Sequence, residues 1–310
     1  MCFLVGCGMI LARKSQLHYY VDVPLYVKSD DGRYVMYKPG GKTLSDMRIS
    51  EERLHVELYM KHEDKLKGLQ EAQRGFNRQL QNNVKSGDPA QVKSTLISIV
   101  EETLMEPRSG SLEGVSETMD ILISDYADES DVIKQLLFVS STDYSTVIHS
   151  INVMAFALAF ASHAHLSTAQ TKVLGISALL HDVGKVKITP EILTAPRILN
   201  NEEFEEMKSH TLIGYQILRE CRFSDKGICL AALEHHEKLD GTGYPNNKKN
   251  VSEIAKIIAV IDCYEALTNN DRPYRCAMIP IDTLNLLKDD VNKGKFDKDI
   301  FKKFAYSLVK

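Results

Sequence analysis

The chain has 310 residues, 44% hydrophobic and 26% charged, and its 38 Lys and Arg against 42 Asp and Glu give a formal net charge of −4. With only 9 Pro and 17 Gly, it is neither collagen-like, low-complexity nor broadly disordered, and it can fold as one large or two ordinary domains. The slightly acidic balance gives no broad basic face to a nucleic-acid polymer, so a polyanionic ligand has to be met by a few local cations.

No apolar run approaches the roughly 20 residues of a membrane span. Residues 1–11 are apolar but lack a preceding positive segment and are too short for a secretory signal. Cys2, Cys7, Cys221, Cys229, Cys263 and Cys276 form no CxxC and no framework spacing, which points to reduced thiols and a cytoplasmic setting.

Residues 17–28 and 33–37 are aromatic and β-branched, and Ser29-Asp30-Asp31-Gly32 joins them as a turn between strands. From Ser50, a good N-cap, a polar helical pattern runs to about residue 84, and residues 90–104 predict a second helix. Residues 107–111 read as a linker. The expected division is therefore a small mixed α/β regulatory or docking domain over 1–114 and an all-helical domain over 115–310. His18, His55 and His62 are scattered through the first part and read as surface residues.

After residue 114 the pattern is helical throughout. Helices are predicted over 146–161, from Ser167 or Thr168 to the ALLHD run, over 224–236, 252–268, 280–290 and 297–308. Asn201 is expected to cap another, which aligns Phe204, Met207, Thr211, Gly214 and Leu218 on one buried face. Seven polar residues fall at inner positions of these helices. Asp262 follows Ile257-Ile258-Ala259-Val260-Ile261, where an unpaired carboxylate would cost several kcal/mol. His181-Asp182 ends another apolar run. His210 shares the face of Met207 and Gly214, His235-His236 closes an Ala-Ala-Leu-Glu turn, and His149 is flanked by apolar residues. Imidazole plus carboxylate without cysteine suits a hydrolytic Fe, Mn or Zn centre rather than a thiolate-closed structural site.

His181-Asp182-Val183-Gly184-Lys185, followed by His235-His236-Glu237-Lys238-Leu239-Asp240-Gly241-Thr242-Gly243-Tyr244-Pro245, resembles the HD-GYP family, the branch of HD-superfamily metallohydrolases that cleaves cyclic di-GMP. Asp143, Thr146, His149, Asn152, Glu203, Met207, Gly214 and the runs 262–268 and 271–275 match in order and spacing, over roughly residues 125–310. The resemblance implies an all-helical HD-type bundle and two divalent metals, Fe or Mn first, with Zn, Mg and Ni as alternatives. His149, His181, Asp182 and Asp262 would hold one, and His210, His235 and His236 the other, with Asp182 bridging. Hydroxide held by the pair would attack a cyclic dinucleotide, giving the linear dinucleotide, with further cleavage to GMP left open. Asp182 and Lys185 are the implied catalytic residues, and Lys185, Arg272 and Arg275 the implied substrate contacts. Asp240, Gly241, Gly243, Tyr244 and Pro245 form a loop beside the site, implicated in partner contacts; a homodimer is left open.

The sequence also departs from the family pattern. Ser145 stands where three-metal members carry Glu, Glu265 replaces an Asp, Asn269-Asn270 adds a residue before Asp271-Arg272, and Asn246-Asn247-Lys248-Lys249-Asn250 shortens the loop after Pro245. These changes leave the expected ligands intact. They keep two rivals alive: a catalytically weak cyclic-dinucleotide-binding or docking module, and an HD hydrolase of other phosphate compounds.

Overall fold

The computed structural model describes residues 8–45, 47, 56–105, 111–126, 145–221, 225–269 and 277–309. Strands β1 (Met9–Leu11), β2 (Leu25–Lys28), β3 (Tyr34–Lys38) and β4 (Leu58–Lys61) form one antiparallel sheet in the order β1-β4-β2-β3. The expected turn joins β2 to β3: Ser29 N–H donates to Arg33 O, and Gly32 takes a φ of 80°. Residues 14–19 are a 3-10 helix instead of the start of a strand, and Pro24, which has no N–H to donate, separates them from β2. The helix expected from Ser50 begins only at Lys65. Leu58-Tyr59-Met60-Lys61 alternates buried and half-buried positions, the period of a strand; Ser50 itself lies outside the described residues.

Helices α1 (Lys65–Ser86), α2 (Pro89–Met105) and α3 (Ser111–Tyr126) follow. α1 buries Leu69, Ala72, Phe76, Leu80 and Val84 at spacings of three and four, and ends on Gly87 in the left-handed conformation. Ser111, read as linker, already belongs to α3, so residue 114 lies inside a helix. Val115, Met119 and Leu122 of α3 are fully buried in the same apolar core as Phe76, Leu96, Leu158 and Leu174.

The remaining chain is helical: α4 (Thr146–His163), α5 (Thr168–Leu180), α6 (Pro190–Leu193), α7 (Asn201–Lys208), α8 (His210–Glu220), α9 (Lys226–Glu234), α10 (Glu253–Thr268), α11 (Pro280–Asn292) and α12 (Lys298–Ser307). The fold is mainly α, with a small sheet at the N-terminal end. Among the described residues α4 is the one helix long and apolar enough to cross a membrane, and most of it is buried inside the protein. Ser167 caps α5 and Asn200 caps α7, each with a reciprocal Gln170 or Glu203 bond. The single helix expected from Asn201 is two, α7 and α8, meeting at Ser209. Thr211, Gly214 and Leu218 of α8 are buried, but Phe204 of α7 is 44% exposed.

A 3-10 turn, Val183–Lys187, runs against α8 with almost no space between the backbones. A Cβ on Gly184 would lie 1.9 Å from His210 O and 2.6 Å from Gly214 N. Gly184→Ala should therefore separate the two segments, since no side chain can move aside. The expected loss is about 1–3 kcal/mol, read as a lower denaturation midpoint; an unchanged midpoint would show that the contact is not required.

Candidate metal centre

The seven polar residues sit at helix ends or on one inner helix face. His149 lies in the first turn of α4, which Ser145 caps by accepting from Ile148 N–H. His181 is the C-cap of α5 and Asp182 follows it, at the head of the 183–187 turn. His210 opens α8, His235 caps α9 with His236 next, and Asp262 lies within α10. The structure brings all seven together.

Asp182 is at the middle. Its Oδ2 is 3.5 Å from His149 Nε2 and 3.4 Å from His181 Nε2. Its Oδ1 is 3.3 Å from His210 Nε2 and 3.8 Å from His235 Nε2. Two sets with metal-ligand spacing result, His149-His181-Asp182 and Asp182-His210-His235-His236, sharing that carboxylate. Asp262 reaches the first through Oδ1, 3.1 Å from His149 Nε2.

The imidazole tautomers follow from the helix ends. His181 Nδ1 is 2.7 Å from Ala178 O, His210 Nδ1 is 2.6 Å from Met207 O, and His235 Nδ1 is 3.0 Å from Ala231 O and from Ala232 O. A carbonyl only accepts, so each Nδ1 carries the proton and each Nε2 presents a lone pair inward. His210 Nε2 and His235 Nε2 then face each other at 3.4 Å, two lone pairs with nothing to share. His181 Nε2 and Asp182 Oδ1 are buried without a hydrogen bond. This donor set fits cations held between the groups.

Electrostatics agree. Burial pushes His210 and His235 down and His236 to about 3, keeping the rings neutral. Burial opposes the charge of Asp182, yet the Lys185 ammonium holds its carboxyl well below the usual range. Asp262 is likewise held down against burial by His149. His149 differs: burial opposes its charge, but Glu265 and Asp262 outweigh it and raise its pKa to about 9.

Glu265 explains that exception. It is buried one turn beyond Asp262 on α10, with Oε2 2.5 Å from His149 Nδ1 and Oε1 accepting from Asn152 and Asn269. The carboxylate orients His149 as the backbone carbonyls orient the other rings. In the sequence the signal was a second carboxylate, i+3 from Asp262, on one apolar helix.

Lys185 donates to Asp182 Oδ2 from a side chain 23% exposed. Of the expected loop, Tyr244 stacks on His236 with ring centroids 4.7 Å apart and 27° between planes. Gly243 has no room for a side chain: a Cβ would lie 2.3 Å from Lys238 N. Gly241 has a φ of 86°, Asp240 accepts from Thr242 N–H and hydroxyl, and Pro245 follows a cis bond. Glu237 fastens the loop's exit by accepting from Asn246 and Lys248 N–H. Arg272 and Arg275 lie outside the described residues, as does Asp143. A cavity of about 800 Å³ adjoins Asp182 and Lys185, and its opposite wall comes from residues 11–17 and 98–104; no site role was expected of that part of the chain.

A family model described as HD domain matches residues 129–300. A cyclic di-GMP phosphodiesterase of Pseudomonas aeruginosa is 29% identical over 195 residues, 62% of this chain and 46% of that protein. A 3'3'-cGAMP-specific phosphodiesterase of Vibrio cholerae is 32% identical over 158 residues, 50% of this chain and 36% of its own length. A cyclic di-GMP phosphodiesterase of Thermotoga maritima is 33% identical over 168 residues, 52% of this chain and 45% of its own. The chain thus spans less than half the length of these relatives. The solved structure of an HDG"Y"P protein from Bdellovibrio bacteriovorus matches 97% of this chain and 100% of its own, with a TM-score of 0.61 and 17% identity, a likeness of fold alone.

The His149–Glu265 pair predicts a pH dependence. With its pKa raised from 6.5 to about 9, the charge on His149 stabilises the metal-free fold fully below pH 6.5, and that contribution is lost as pH rises through 9. A metal bound at His149 must displace this proton, so uptake should tighten by about tenfold per pH unit across that window. Glu265→Gln lowers the ring's proton affinity and should flatten the slope. Equilibrium metal titrations over the window test this; equal slopes in both proteins would remove Glu265 from its positioning role.

Proposed function

Because the chain belongs to the HD-domain family, in its HD-GYP branch, we propose that it is a metal-dependent phosphodiesterase that opens a cyclic dinucleotide, cyclic di-GMP first, to the linear dinucleotide. The observation that carries this reading is the shared carboxylate: Asp182 turns one oxygen to each of two imidazole sets. His149, His181, Asp182 and Asp262 would hold one divalent ion and His210, His235, His236 and Asp182 the other, with Fe or Mn suited to an oxygen and nitrogen set without thiolate. Such a pair supplies Lewis acidity and an activated water for in-line displacement at phosphorus.

The chain's own residues do the rest. Asp182 spans the two sets, Glu265 keeps His149 aimed inward, and Lys185 offers an ammonium where charge develops on the phosphate. Arg272 and Arg275 are proposed to contact substrate through guanidinium forks. The names of the relatives support the substrate class. Docking of a signalling protein at loop 240–245, a homodimer, a regulatory role for residues 1–114 and a cytoplasmic setting belong to the same proposal.

Anaerobic purification followed by metal analysis should give about two ions per chain. Asp182→Ala should lose turnover and metal together, and wild-type turnover in that variant would sink the assignment. Lys185→Ala should keep its metal and lose about 10²–10³-fold in rate; a spared rate at normal metal content would return Lys185 to a structural role. Binding without turnover at full loading selects the docking-module reading, and faster hydrolysis of simple nucleotides selects the other hydrolase.

A further inference from the structure

The cavity beside Asp182 is built from both parts of the chain. The helical half supplies Thr146, Val147, Asp182, Val183, Lys185 and Leu193. The facing wall is N-terminal: the 3-10 helix of residues 14–19 with its lead-in, the strand around Leu58, and the last turns of α2. At about 800 Å³ the cavity is within the ordinary range for small-molecule sites, roughly 300–1,000 Å³. Leu11, Leu17, Leu58, Leu104 and Val147 make much of its lining apolar, which suits the face of a nucleobase.

On its N-terminal wall Glu57 accepts from the Tyr59 hydroxyl and Ser98 donates to Ser94 O within α2; the other polar groups divide into two kinds. Arg13 and Glu102 form an ion pair, and Glu102 also accepts from Ser15 Oγ at 2.6 Å and Gln16 Nε2 at 2.5 Å. That cluster is committed to holding the 3-10 helix on α2. Lys14 and Glu101 make no hydrogen bond or ion pair among the described residues, yet both line the cavity. Burial and the neighbouring Glu102 push the Glu101 carboxyl up, so it gains from any donor brought to it.

We propose that this cavity receives one nucleotide half of the substrate, with Lys14 and Glu101 as specificity-determining residues supplied by the N-terminal part of the chain. The inference rests on the phosphodiesterase reading above. A cyclic dinucleotide has two phosphates and two bases. With one phosphate at Asp182 and Lys185, the attached nucleotide extends into the cavity and Lys14 meets its other phosphate. Glu101 accepts from the N1–H and 2-amino group of guanine, two parallel donors matched to a carboxylate. Adenine presents an acceptor, N1, at the same edge and is repelled. The cavity therefore selects guanine.

The test is equilibrium binding of cyclic di-GMP and cyclic di-AMP to the full-length, metal-depleted chain, alongside KM and kcat of the loaded enzyme. Lys14→Ala should raise Kd and KM for both ligands about tenfold and leave kcat unchanged. Glu101→Gln should weaken cyclic di-GMP by about tenfold and strengthen cyclic di-AMP, because an amide can pair with adenine. Both side chains are exposed, and thermal melts check that the variants fold. Unchanged Kd and KM in both variants, with turnover intact, overturns the subsite and leaves the phosphodiesterase reading standing. Weakened binding in the variants with no turnover at full metal loading keeps the subsite and overturns the reaction.

Discussion

Imidazole lone pairs and a carboxylate buried side by side repel one another unless something positive lies between them. Asp182 is 2% exposed and is ringed by Nε2 atoms whose protons have been assigned to the other ring nitrogen. The assignment is made by helix ends. The final carbonyls of a helix have no partner within it, and His181, His210 and His235 use carbonyls of the last turns of α5, α7 and α9. One bond thus finishes a helix and aims a ligand. The positions of the helices and the electrostatics of the centre are a single constraint.

The motif that carries His235 and His236 is also a self-contained piece of architecture. His236 stacks on Tyr244, Gly243 lies against the backbone of Glu237 and Lys238, and the Glu237 carboxylate closes the circuit on Asn246 and Lys248 N–H. The stretch after Pro245 is therefore anchored through backbone N–H groups, which any residue but proline provides.

Much of this was legible in the sequence because charge burial leaves a mark there. An aspartate at the end of Ile257-Ile258-Ala259-Val260-Ile261, or a His-Asp pair closing an apolar run, has no cheap explanation as solvated surface. Local periodicity also gave α4, α5 and α10 to within a few residues. What stayed hidden depends on distant partners. Leu58-Tyr59-Met60-Lys61 is too short to announce a strand until β1 and β2 flank it. Phe204 matches the buried face of one continuous helix, but the helix is interrupted at Ser209 and Phe204 is exposed. Glu265 reads as a replaced aspartate until His149, 116 residues earlier, is seen against it. The cavity wall of Lys14 and Glu101 has no periodic signature, because its members come together only when the two parts of the chain pack.

That packing has a consequence for how such a chain changes over generations. α3 is continuous through residue 114, and Phe76, Leu80, Leu96 and Ile99 of α1 and α2 lie in one buried core with Val115, Met119 and Leu122 of α3, Leu158 of α4 and Leu174 of α5. The N-terminal part is thus not a cassette on a tether. Exchanging it for an unrelated segment would strip apolar surface from the helical half and remove one wall of the cavity, so the two parts of the chain are constrained to change together.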